Sequence, residues 1–146
     1  MDKLQAFCKQ FNNIELHNVI KIGRRYYQAS PELIAIKEKI TSRDVYSLGL
    51  PLGEEKNQFM PTPALLEMLA KNSLRKAYIN QKGSWLFLCG RDVFEESIVS
   101  STVKEGLVLV QNEHDENLGL GELKTIRGKT IIKTILDRGN YLRREN

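Results

Sequence analysis

The chain has 146 residues, 41% hydrophobic, 8% aromatic and 27% charged, with a formal net charge of +4. That composition suits one domain or two small ones around a real core and argues against a disordered chain. The longest apolar runs, such as SWLFLC, fall far short of the ~20 residues a membrane helix needs, and MDKLQAFCKQ lacks the long apolar core of a secretory signal.

In chain order, MDKLQAFCKQF predicts a short amphipathic helix, with Leu4, Phe7, Cys8 and Phe11 on one face at i, i+3, i+4, i+7 spacing. IELHNVIKI and RRYYQA read as two strands joined by a hairpin turn at Gly23. Ser30 followed by Pro31 is a helix start, and Leu33, Ile34, Ile36 and Ile40 should line the helix that follows. VYSLGLPLG resumes as a strand, closed by Pro51 and Gly53. The polar EEKNQ (54–58) reads as the domain boundary, dividing the chain into residues 1–58 and 59–146. Beyond it, Thr62 and Pro63 start a helix that buries Leu65, Leu66, Met68 and Leu69.

From Arg75 the pattern is strand-rich: RKAYIN, SWLFLC, GLVLVQN, LGLGELKT and KTIIKTIL, with RDVFEESIV as a short helical turn between them. One helix and five short strands predict a small β-barrel with a helical lid. The expected fold is therefore an α/β (α+β) N-terminal domain followed by that barrel.

No catalytic constellation emerges. His17 and His114 stand without the partners that a zinc site requires. QNEHDEN (111–117) reads as a solvated hairpin turn, with a divalent-ion site as the sharper alternative. Neither GLGE nor CGRD is a phosphate loop, so nothing calls for a nucleotide or another cofactor. Cys8 and Cys89 lie far apart with no CxxC; they are expected to be free, buried thiols of a cytoplasmic protein. Trp85 reads as core.

The charge distribution carries more. Residues 120–146 hold seven basic and three acidic groups, net +4, as much as the whole chain. A local excess of this kind is what a polyanion contact needs, although a solvated basic surface is the plainer explanation. In KTIIKTIL, alternation puts Lys129, Ile131, Lys133 and Ile135 on one face, and Thr130, Ile132, Thr134 and Leu136 on the other. If GELKT and KTIIKT lie side by side, Lys124, Lys129 and Lys133 share one surface fit for phosphates. Tyr141 is a candidate for stacking on an unpaired base, or else packs back on the barrel.

SWLFLCGRDVFEESI, GLVLVQN, LGLGELKT and DRGNYLRRE together resemble a PUA domain, the RNA-binding module named after pseudouridine synthases and archaeosine transglycosylases. CGRDV is similar to its glycine-containing loop, and DRGNYLRR to its closing strand and tail. RRYYQASPELIAIKEKI and VYSLGLPLGEE extend the resemblance over residues 19–145 to the Nip-seven family of ribosome-biogenesis factors, in its short, archaeal-type form. The resemblance implies a non-catalytic factor for the large ribosomal subunit. Its partner would be pre-rRNA, with the exosome or other assembly factors as further partners. The RNA face would fall on Lys124, Arg127, Lys129, Lys133, Arg138, Arg143 and Arg144, with Arg91 in the glycine loop and Tyr141 as further candidates. An RNA-modifying enzyme, or its accessory subunit, is the alternative, since PUA domains are often appended to such enzymes.

Overall fold

The computed structural model describes residues 2–39 and 48–140, and these form two units divided between Leu69 and Ala70. The division falls later in the chain than the expected break at 58/59. EEKNQ is no linker. Its glutamates end one strand, and the turn after them leads into the next strand of the same sheet.

In the first unit, α1 (Lys3–Lys9) is capped by Asp2, whose Oδ1 accepts from the Gln5 amide at 2.8 Å. It buries Leu4, Phe7 and Cys8, and Phe11 just beyond it is buried too, as the helical spacing requires. The strands β1 (Val19–Ile22), β2 (Arg25–Gln28), β3 (Leu50–Glu55) and β4 (Phe59–Pro61) form an antiparallel sheet in chain order. The Phe7 and Phe59 rings meet at 5.1 Å, and Tyr26 closes on Phe59 at 5.9 Å. Rings bury more area than aliphatic side chains, and tilted pairs at these spacings add to what burial contributes. α3 (Pro63–Ala70) starts where its sequence predicts: Thr62 Oγ1 accepts from the Leu65 amide, and Leu65, Leu66 and Leu69 are buried.

α2 (Pro31–Lys39) departs from expectation. Ser30 caps it, but it buries no residue, and Leu33 and Ile36 are exposed. Ile40 and the first part of VYSLGLPLG lie outside the described residues.

The second unit is a curled six-stranded half-barrel. Its strands are β5 (Lys76–Ile79), β6 (Val93–Phe94), β7 (Ile98–Ser101), β8 (Gly106–Gln111), β9 (Asn117–Ile126) and β10 (Lys129–Asp137), in the order β6-β10-β9-β8-β5-β7. Every pairing is antiparallel except β5 with β8. Ala77, Ile79, Val93, Val108, Val110, Leu123 and Ile132 fill the concave face together with Phe87 of α4 (Gln81–Leu88).

That helix replaces an expected strand. SWLFLC looks apolar enough for a strand, but Asn80 caps a helix through its side chain to the Gly83 amide at 2.8 Å. Gly90 ends it at φ 80°, a left-handed conformation that costs a residue with a Cβ about 1–2 kcal/mol. The Arg91 amide then reaches back to the Leu86 carbonyl and the Gly90 amide to that of Phe87. RDVFEESIV holds the short helical turn expected of it at Glu95–Ser97, set between the ends of β6 and β7. Trp85 faces outward at 63% exposure rather than filling the core, because Gly83 and Phe87 take the inner face of α4. Cys89 is likewise exposed, whereas Cys8 is buried.

Candidate nucleic-acid interface

The register of β6, β10 and β9 decides which side chains share the convex face. In antiparallel pairs, directly opposed residues project to the same side. Ile132 opposes Leu123 on β9 and Val93 on β6, and all three are buried in the core. The next row therefore faces outward: Phe94, Ile131 and Lys124 across the three strands. Flanking it on the same face are Lys129 opposite Ile126, and Lys133 opposite Glu122.

Lys124, Lys129 and Lys133 thus occupy one surface. Lys129 and Lys133 are exposed. Lys124 is tied to Glu122 at 3.1 Å, both groups remaining solvated. A solvated pair of this kind is worth ~0–1 kcal/mol and yields readily to a stronger anion. Arg127 stands at the tip of the hairpin between β9 and β10, where it and Gly128 take φ of 52° and 79°. Two left-handed residues make the turn that matches the twist of paired strands.

Arg91 is exposed, and its loop is pinned to β10. The Arg91 carbonyl accepts from Thr134 Oγ1 at 2.7 Å, and Asp92 Oδ1 accepts from the Thr134 amide at 3.2 Å. The loop is therefore held beside Lys133. Arg138 does not join this group. β10 ends at Asp137, whose Oδ1 accepts from the Asn140 amide at 2.7 Å, and residues 138–140 turn helical with Arg138 half-buried. Leu136 and Asp137 thus end the strand and residues 138–140 start a helix, so DRGN is not the closing strand expected of it. Tyr141, Arg143 and Arg144 lie outside the described residues.

Sequence reasoning missed Phe94, 53% exposed, and the apolar company of Ile126 at 50% on the same face. No periodicity in so short a strand as β6 could have placed Phe94 there; only the pairing with Ile131 does so.

QNEHDEN forms the β8–β9 turn, and its acid is turned to structural use. Lys76, 9% exposed, donates to both carboxylate oxygens of Asp115 at 3.1 and 3.2 Å. Burial pulls the Asp115 carboxyl up, but hydrogen bonds from Gln111, Lys76 and Tyr78 outweigh it and hold the group below its ordinary value.

Comparison with known proteins bears on residues 75–146, which match the model of the UPF0113 PUA domain. The match spans nearly the whole of the C-terminal unit. A UPF0113 protein of Archaeoglobus fulgidus is 32% identical over 107 residues, covering 66% of this chain and 62% of that protein. A UPF0113 protein of Aeropyrum pernix is 35% identical over 103 residues, covering 68% of this chain and 58% of that protein. The chain spans less than two thirds of the length of either relative. Among solved structures, a conserved PUA domain protein from Thermoplasma acidophilum superposes with a TM-score of 0.52 at 21% identity, covering 65% of this chain and 69% of that one. That likeness shows the fold.

Proposed function

We propose that this chain is an RNA-binding member of the UPF0113 family, and that its PUA domain meets RNA on the convex face of β6, β10 and β9. The observation that carries this reading is the register that gathers Lys124, Lys129 and Lys133 on one exposed surface within the segment that matches the PUA domain. Arg127 at the hairpin tip and Arg91 beside Thr134 extend the positive border. Mobile, solvated ammonium groups suit phosphates, since binding releases condensed counterions.

The finer reading is a non-catalytic factor in assembly of the large ribosomal subunit, with pre-rRNA as ligand and the exosome or other assembly factors as partners. The resemblance of SLGLPLGE, LFLCGRDVF and DRGNYLRRE to the Nip-seven family supports it. Steady turnover of RNA by the pure protein would instead favour a modifying enzyme or its subunit.

Fluorescence anisotropy with short labelled RNAs across a salt series is the test. Affinity should fall as salt rises. Charge reversal at both Lys129→Glu and Lys133→Glu should weaken binding roughly tenfold or more and make the salt slope shallower by ~0.7 for each phosphate no longer neutralised. Both side chains are exposed, so the melting temperature should hold. Unchanged affinity in the folded double variant would sink the proposed surface.

A further inference from the structure

The lysines of the convex face do not stand alone. Phe94 ends the edge strand β6, opposite Ile131 of β10, with half its surface in water. Along β10, Lys129 and Lys133 lie two residues to either side of Ile131, so their Cα atoms bracket the Phe94 row at about 14 Å from each other. Ile126, opposite Lys129, continues the apolar strip on β9. An exposed aromatic ring flanked by apolar side chains and bracketed by ammonium groups is unusual on a surface that serves only solvation. A purely electrostatic phosphate site has no need of the ring. The acids at hand leave the bracket positive: Glu122 is engaged by Lys124, and Glu95, which accepts from the Thr130 amide, sets one carboxylate against the two ammonium groups of Lys129 and Lys133.

We infer that Phe94 is a stacking platform for an unpaired base, and that the RNA bound on this face is therefore single-stranded. The inference rests on the RNA-binding reading above. In a duplex, both faces of every internal base are covered by its neighbours, so a ring lying in a sheet surface has nothing to stack on. In a single strand each base offers a free π face, while its phosphates remain available to Lys129 and Lys133. The pairing of β6 with β10 fixes the backbone that carries the ring.

Two labelled RNAs of equal length and base composition, one unstructured and one self-complementary, separate the possibilities by anisotropy. The parent protein should favour the single strand. Phe94→Ala should weaken single-strand binding roughly ten- to a hundredfold while leaving the salt slope unchanged, because stacking carries no net charge. Duplex binding should not respond. Phe94→Tyr keeps the ring and should bind as the parent does, which separates loss of stacking from damage to the strand. Equal affinity of Phe94→Ala and parent for the single strand, or equal preference of the parent for duplex, would overturn the platform and leave salt-dependent RNA binding standing. Absence of any binding at low salt would overturn both readings together.

Discussion

Asp115 sits in the left-handed region at φ 59°, a conformation that aspartate tolerates better than most residues. That backbone choice aims its carboxylate at the buried Lys76 ammonium. Asp115→Ala would leave the ammonium without its partner, at an expected cost of about 1–3 kcal/mol. Lys76→Met, which removes the buried charge altogether, should cost less. Because the folded-state pKa of Asp115 is depressed, the stabilisation is complete above the ordinary aspartate value. It is lost as pH falls through the depressed one. Chemical denaturation of parent and Asp115→Ala across acid pH checks both points: the two stability curves should converge at the acid end. In the first unit, Glu55 is likewise held low, by the Tyr26 hydroxyl and then by Lys21. Burial and that same hydrogen bond push the Tyr26 hydroxyl up.

Among the elements, α4 shows how end signals outweigh apolar content. SWLFLC carries a strand's composition, but Asn80 before it and Gly90 after it fix both helix ends. The left-handed φ at Gly90 is what lets the Arg91 amide reach the Leu86 carbonyl. Gly90→Ala should lower stability by about 1–2 kcal/mol, read as a shift in denaturant midpoint with an unchanged slope. The same substitution displaces the loop that holds Arg91 beside β10, so RNA affinity is a second readout. β10 was legible because its alternation is regular from Lys129 to Thr134. Its bulge between Thr134 and Leu136 was not, since the break depends on how β9 pairs there.

For the whole molecule, the division at Leu69/Ala70 gives the C-terminal unit its own core around Phe87, Val108, Leu123 and Ile132. A fragment of residues 70–146 should therefore fold by itself, though with a thin margin at that size. A cooperative thermal transition and dispersed amide resonances would bear this out. A molten fragment would show that the first unit is needed for its stability. The later boundary has a plain cause. Phe59–Pro61 pairs with Leu50–Glu55, so the polar stretch between them is a hairpin turn rather than a linker.

By itself, the sequence determined the amphipathic α1, the helix starts at Ser30 and Thr62, the alternating strand at 129–134 and the concentration of charge after residue 120. Each is a local property, set by side-chain spacing or by a cap within a few residues. Only the tertiary structure decided which lysines share a face, that Phe94 stands among them, that Trp85 and Cys89 point to water, and that α2 buries nothing. These depend on strand register and on which face another element covers. Both are fixed by long-range packing, which no local pattern encodes.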